Sequence, residues 1–308
     1  MSVEQLIGSF RKKVLASKVD HARRTIAASL AAGQGGVQTV ILQDEITQRV
    51  SFSPTALDGY IELVALDMDG TLLNEQDAVS SRVHRAVRQA STRGVFVVLA
   101  TGRPPRSVEH YYRSLGLGTP IISHNGALIW DVHRKRAIRH SVIAADLAHK
   151  VIAFARKHCL GVFVSHDLMD TQHCDAGRHP TCEKMISGPV TRIMFQSPKP
   201  MLDELQKGLE EKFPQQLAYF RSDPQLLQIM TAGVSKACAL DYVSRQLKIP
   251  RDRVMAVGDA GNDIDMIRWA GLGVAMANAN ATVRRHARHT VPSNKSDGVA
   301  VAIEKFVL

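Results

Sequence analysis

From residue 61 onward, short apolar runs alternate with stretches in which apolar residues recur every three or four positions. Residues 61–66, 95–100 and 120–123 read as buried strands, separated by helical periodicity at 80–93 and around 105–115. In the first of these helices Val83, Val87 and Ala90 fall on one face, with Ser80 or Ser81 as cap. The same grammar returns near the C-terminus: a helix at 235–248, a strand at 253–257, a helix from Asn262 and a strand at 272–276. Continuous apolar strands alternating with amphipathic helices predict an α/β fold, a doubly wound parallel sheet with helices on both faces.

The middle of the chain breaks this rhythm. Strands are expected at 162–165, 190–196, 217–222 and 226–231, with helices near 145–158 and 200–213. That mixture predicts a separate α+β unit at 131–232, inserted between core segments 60–130 and 233–308. The first 59 residues differ again. Val3, Ile7, Phe10 and Val14 recur at helical spacing among Arg11, Lys12, Lys13, Lys18, Arg23 and Arg24, and glycines 33, 35 and 36 end the pattern. This basic stretch reads as an extension outside the core, with a transit peptide, a membrane-surface helix or a partner helix as alternatives. Residues 37–59 offer a strand or hairpin without an evident place in the fold.

Composition narrows the class. A chain of 308 residues with 45% hydrophobic and 22% charged positions is ordinary globular material, which excludes wholesale disorder and collagen-like repetition. No apolar run approaches the ~18–20 residues that span a bilayer. Cys159, Cys174, Cys182 and Cys238 are too few and too scattered for a disulfide framework. Free thiols and the lack of a secretory signal point to the cytoplasm, with organelle targeting by the basic leader left open. The net charge of +10 favours anionic partners. Zinc-finger spacing, an aromatic-rich RNA signature and a basic recognition helix are all missing, which argues against a nucleic-acid-binding protein. His166, His173, Cys174, His179 and Cys182 crowd into one stretch, but their spacing matches no standard zinc motif. A loop facing the substrate, with Arg178, is the plainer reading.

Four motifs carry candidate chemistry. Asp67-Met-Asp69-Gly70-Thr71 follows directly on the first strand. In open α/β sheets ligands sit outside the carboxyl ends of the strands, so both carboxylates face an expected pocket. Thr101-Gly102-Arg103 follows the second strand and offers a hydroxyl and backbone amides to phosphate oxygens, although alone it is also an ordinary turn. Lys236 opens a helix, where a cation balances phosphate charge; an isolated lysine would simply be solvated. Gly258-Asp259-Ala-Gly-Asn262-Asp263 follows a later strand and supplies the hard oxygen ligands that Mg²⁺ prefers. Each motif has a bland alternative as a turn or cap. Their conjunction, each at a strand end or helix head, does not.

Together these motifs resemble the haloacid dehalogenase superfamily of phosphohydrolases. The strings 122–127 (Ile-Ser-His-Asn-Gly-Ala), 233–237 (Gly-Val-Ser-Lys-Ala), 273–278 (Gly-Val-Ala-Met-Ala-Asn) and Asp297-Gly-Val are similar to its Cof-type branch. The resemblance covers about 61–308 and implies a Rossmann-like core with a type C2B cap at 131–232. Ala237 stands where the family often has glycine, and His124 precedes the Asn-Gly-Ala. The resemblance further implies that Asp67 is the nucleophile forming an aspartyl-phosphate and Asp69 the general acid and base. Mg²⁺ would be held by Asp67, Asp259 and the backbone carbonyl of Asp69, with Asp263 ordering a bound water or orienting Lys236. Thr101, Gly102, Lys236 and Asn262 would bind the phosphoryl group. The expected substrate is a small phosphorylated metabolite, a sugar phosphate or cofactor phosphate. A sugar phosphomutase of the same superfamily is the alternative, and a non-catalytic anion- or nucleic-acid-binding protein a more distant one.

Overall fold

The computed structural model describes residues 61–156, 161–166, 171–175, 186 and 188–308. The basic leader, and all of the His/Cys stretch except His166 and the backbone of 171–175, lie outside the described residues. In chain order the first part runs β1 (Leu63–Leu66), α1 (Ser81–Thr92), β2 (Phe96–Leu99), α2 (Pro105–Ser114), β3 (Ile121–Ser123), β4 (Leu128–Asp131) and β5 (Arg136–His140). The middle follows with α3 (Ala145–Ala155), β6 (Gly161–Ser165), β7 (Thr171–Asp175), β8 (Arg192–Gln196), α4 (Lys199–Lys212), β9 (Leu217–Asp223) and β10 (Leu226–Thr231). The last part is α5 (Lys236–Leu247), β11 (Val254–Gly258), α6 (Ile264–Trp269), β12 (Leu272–Met276), α7 (Ala281–His286), β13 (His289–Val291) and α8 (Gly298–Phe306).

The expected parallel sheet has the order β13-β12-β11-β1-β2, every neighbouring pair parallel. Strands β11, β1 and β2 are buried along their whole length, which is why they read as unbroken apolar runs. Alternate residues serve opposite faces. Val64, Leu66, Val97 and Leu99 pack with Val83 and Val87 of α1, Tyr112 of α2 and Val299 of α8. Leu63, Ala65, Val98 and Ala256 pack with Leu240 and Val243 of α5 and Met266 of α6. The sheet is thus covered on both sides.

Strand ends fall within two or three residues of expectation. Ser80, not Ser81, caps α1: its Oγ accepts from the Val83 amide at 3.2 Å. The helix expected from Asn262 begins at Ile264, because Gly261–Asp263 form a single tight turn first. The strand expected at 120–123 is β3, and it opens an antiparallel meander whose other strands, β4 and β5, were missed. So were β13 and helices α7 and α8, whose shortness or mixed polarity hides their period.

The middle segment builds a second sheet, antiparallel, in the order β7-β6-β8-β10-β9. One face carries Val162, Val164, Ile193, Phe195, Leu227 and Ile229 against Val151 and Ile152 of α3 and Leu202 and Leu205 of α4. On the other face sit Arg192, Met194 and Gln228, with Gln228 directly paired to Met194. Met230, on the same side as Gln228, packs with Ala127 and Val234, so this second face turns towards the loops of the parallel sheet.

Candidate active site

Neighbouring strand ends bring the motifs together. β1 lies between β11 and β2, so the residues after all three emerge side by side. Asp67 therefore leaves its strand beside Thr101 and Asp259. Lys236 arrives from the opposite side as the first residue of α5, whose start is fixed by Ser235, its side chain accepting from the Cys238 amide at 3.1 Å. Gly126 has φ +99°, and a Cβ there would stand 2.2 Å from the Ser235 carbonyl oxygen. Only glycine permits that approach, and it seats the His124–Gly126 turn on the head of α5.

Lys236 is fully buried and donates from Nζ to Asp67 Oδ1 at 2.5 Å and to Asp263 Oδ1 at 2.7 Å. The other oxygen of Asp263 accepts from the backbone amides of Asp259 and Ala260, each at 3.0 Å. Asp263 thereby tightens the turn after β11 and orients the lysine. Asp67, Asp259 and Asp263 each offer a carboxylate oxygen, and the three lie within 4.8 Å of one another. Asp259 accepts from the Thr71 hydroxyl at 2.9 Å and from the Asn278 amide at 3.2 Å, while Asn278 also donates to the Gly70 carbonyl at 2.8 Å. Gly70 is pressed close: a Cβ would sit 2.3 Å from Asp259 Oδ2, and its φ is +78°.

The electrostatics follow from this crowding. Burial, reinforced by the Asp263 carboxylate and opposed by Lys236, pushes Asp67 well above the ordinary carboxylate range. Burial likewise lifts Asp259 to about 6. Burial pulls the Lys236 ammonium down, but Asp263 and Asp67 outweigh it and hold it above its usual value. Three carboxylates around one ammonium leave surplus negative charge, so Asp67, Asp259 and Lys236 hold their protons tightly. A divalent cation would relieve that surplus.

Each expected site residue can now be placed. Asp67, Lys236, Asp259 and Asp263 form one cluster. Thr101 is buried at the adjacent strand end, its hydroxyl accepting from the Arg103 amide at 3.1 Å. Asn262 donates to Asn125 Oδ1 at 2.9 Å. Asp69 is turned outward: its carboxylate is held by Arg103, which also grips Asp77. Thr71 of the first motif donates its hydroxyl to Asp259.

The profile of the haloacid dehalogenase-like hydrolases matches residues 64–174 and 178–303, most of the chain. The chain belongs to that family. Several relatives match along nearly their whole length. The 5-amino-6-(5-phospho-D-ribitylamino)uracil phosphatase of Bacillus subtilis is 33% identical over 253 residues, covering 80% of this chain and 96% of the relative. A solved haloacid dehalogenase-like hydrolase from Bacteroides thetaiotaomicron is 27% identical at a TM-score of 0.69, covering 80% of this chain and 99% of that one. Another protein of that organism, described among the phosphatases of the superfamily, is 25% identical at a TM-score of 0.72, covering 84% and 99% of the two chains. The Cof-type branch expected from the longer strings is the one matched.

Some residues of this haloacid dehalogenase-like site escaped the motif reading. Asn278 and Asn125 lie in strings that carried the resemblance, so a signal existed, but no role was attached to them. Arg192 and Gln228 gave no signal: single polar residues in a strand pattern look like the solvent-facing half of an alternation. Here both are buried. Arg192 Nη1 donates to the Gly102 carbonyl at 2.8 Å and to Gln228 Oε1 at 3.3 Å, and Asn125 Nδ2 donates to the same Gln228 oxygen at 3.3 Å.

Proposed function

We propose that this chain is a magnesium-dependent phosphatase of small phosphate monoesters that works through an aspartyl-phosphate on Asp67, with residues 131–232 as its cap. The observation that carries the reading is Lys236 held between Asp67 and Asp263, with Asp259 alongside, at the carboxyl ends of parallel strands. The donor set suits Mg²⁺: hard carboxylate oxygens, a surplus of negative charge, and one oxygen of Asp259 already steered by Thr71 and the other by Asn278. Asp67 and Asp259 would hold the ion, joined by the backbone carbonyl of Asp69 as the family resemblance implies. Both oxygens of Asp263 are engaged by Lys236 and backbone amides, which makes it the support rather than a ligand. When bound, the ion supplies positive charge against an anionic nucleophile meeting an anionic substrate.

The chain's own groups supply the rest. An oxygen of Asp67 attacks phosphorus, the bond to the leaving alkoxide breaks, and Asp69 delivers the proton that the alkoxide takes up. Asp69 next accepts a proton from a water, whose oxygen attacks the phosphorus and returns Asp67 as a free carboxylate. For both transfers Asp69 has to part from Arg103, which holds its carboxylate through Nε. Lys236, Thr101, the Gly102 amide and Asn262 stabilise the phosphoryl oxygens as their charge redistributes. The phosphatase relatives support a sugar-like or cofactor-derived phosphate as substrate, with ribityl phosphates the first compounds to try.

The experiment is phosphate release from p-nitrophenyl phosphate with and without Mg²⁺, followed by a panel of phosphate monoesters ranked by kcat/KM. Hydrolysis that disappears in EDTA and returns with Mg²⁺ is expected. Undiminished release in EDTA after dialysis would overturn the metal assignment, and no release from any monoester would overturn the phosphatase reading.

A further inference from the structure

Arg192 is a deeply buried cation. It opens β8, on the face of the antiparallel sheet turned to the catalytic loops, and is only 6% exposed. Among the described residues no carboxylate pairs with it. Its polar contacts are two neutral acceptors, the Gly102 carbonyl and Gln228 Oε1, and both are taken by Nη1. Nε is buried with no hydrogen-bond partner. Burial alone, with nothing opposing it, lowers this guanidinium to about 10.

The arrangement of donors is informative. With Nη1 committed to Gly102 and Gln228, the remaining edge of the guanidinium is the Nε–Nη2 fork. That edge matches two oxygens of a phosphate or carboxylate. A buried guanidinium facing only neutral groups is costly, since desolvation is not repaid by an ion pair. Gln228 in place of a shorter or apolar residue holds the group in position without cancelling its charge. The position itself is at the chemistry: Gly102 follows Thr101, and Gln228 is joined through Asn125 to Asn262, two residues proposed above to meet the phosphoryl group.

We propose that Arg192 is a substrate-binding residue supplied by the second sheet, its free fork taking an anionic oxygen pair of the phosphate ester. This rests on the reading of the site as a phosphate-ester site. It goes beyond the core motifs, because it makes phosphate affinity depend on a residue of the cap that no motif contains. It also predicts that inorganic phosphate, which lacks any leaving group, is bound by cap and core together.

The test is the affinity of the full chain for inorganic phosphate in the presence of Mg²⁺, by calorimetry and by competitive inhibition of p-nitrophenyl phosphate hydrolysis. Arg192→Met is expected to weaken phosphate binding about tenfold and to raise KM in proportion, with kcat within threefold. Gln228→Glu supplies the missing carboxylate, so it is expected to weaken phosphate binding at least threefold while leaving Arg192 in place. This second variant decides the matter should Arg192→Met fail to fold. Phosphate affinity within threefold of the parent in whichever variant folds would overturn the proposal, as would a loss confined to kcat, the signature of a strut that merely positions Gly102. The two readings fail separately. A parent protein that binds phosphate through Arg192 but hydrolyses nothing refutes the phosphatase and leaves this inference standing.

Discussion

The two sheets of this protein do different work with different patterns. In the parallel sheet strands β11, β1 and β2 are buried on both faces, so no side chain along them is free for chemistry. Function is pushed to the strand ends, where Asp67, Thr101 and Asp259 follow directly on apolar runs. In the antiparallel sheet one face is covered by α3 and α4, and the other turns its polar residues towards the first sheet's loops. Arg192, proposed above to meet the substrate, and Gln228, which holds it, are single side chains on separate strands, at the head of β8 and within β10. The first arrangement leaves contiguous motifs in a sequence. The second leaves isolated letters.

The sharpest way to test that division is to compare a loss at a strand end with one in the second sheet's core. Asp67→Asn keeps shape and volume but removes the attacking anion, so turnover should fall at least roughly 10³-fold. Stability should hold or rise, because the change relieves surplus negative charge among three neighbouring carboxylates. Circular dichroism and thermal melting alongside single-turnover kinetics check both halves. Residual activity above a few per cent of the parent's would refute Asp67 as nucleophile. Lys236→Ala is expected to act on both fold and function. It strands two buried carboxylates, a loss of about 3–5 kcal/mol in unfolding free energy together with activity. Denaturant titration at pH 7.5 measures the first. A variant as stable as the parent would mean that the cluster is more solvated than its burial indicates.

Much of this was legible because the chemistry is local in sequence. Asp67 to Thr71 and Gly258 to Asp263 each fit within one turn after a strand, and a strand buried on both faces announces itself by an unbroken apolar run. The alternation of strand and helix was enough to give the sheet its parallel sense. What escaped was set by tertiary placement. Asp69 and Thr71 lie inside a recognised motif, yet which way each side chain points depends on Arg103 and Asp259, 34 and 188 positions away. Arg192 and Gln228 occupy the polar half of ordinary strand alternation, and only packing against the Gly102 turn distinguishes them from solvated residues. Register against a distant loop has no local signature.

Phe195→Ala probes the other half of the comparison. Phe195 is fully buried on the helix-covered face of β8, pointing away from Arg192. Its truncation should cost about 3–5 kcal/mol of stability, from lost burial and the cavity left behind. If chemistry belongs to the parallel sheet, kcat of the folded enzyme at 15 °C should stay within about tenfold. A collapse of kcat as deep as that of Asp67→Asn, in protein shown to be folded, would break the distinction between the sheets.

A smaller effect concerns pH. Burial raises Asp259 from 3.8 to about 6, so the folded state binds more protons than the unfolded chain between those values. Its contribution therefore favours the fold at low pH and is lost as pH rises through about 6. Magnesium needs the carboxylate, so ion binding runs the other way. Below about 6 its apparent affinity should fall up to tenfold per pH unit for each proton displaced. Melting with and without Mg²⁺ at pH 5 and 7.5 reads this directly: a clear rise in Tm at 7.5 and little at 5. Equal rises at both would mean that the ion does not compete with a proton at Asp259.

The smallest expected effect separates scaffold from chemistry within the parallel-sheet region itself. Asp77 lies outside every motif, but it grips Arg103 at 2.6 Å, and the hydrogen bond from Arg103 holds its carboxyl below the usual range. Tyr111 adds a hydroxyl to the Asp77 carbonyl at 2.7 Å, so the loop before α1 is tied to α2 around the arginine. The ion pair is largely exposed, with the Asp77 side chain 60% accessible, so Asp77→Asn should change stability by no more than ~1 kcal/mol. Its effect on turnover has a sign. Freed from Asp77, Arg103 has only Asp69 to hold, and Asp69 must leave it to move a proton to the alkoxide. A two- to fivefold fall in kcat at unchanged KM is therefore expected, larger for esters with poor leaving groups than for p-nitrophenyl phosphate, whose leaving group needs little protonation. Equal falls for both kinds of ester would show that Arg103 acts on the nucleophilic step, and the proposed role of Asp69 would then have to be given up.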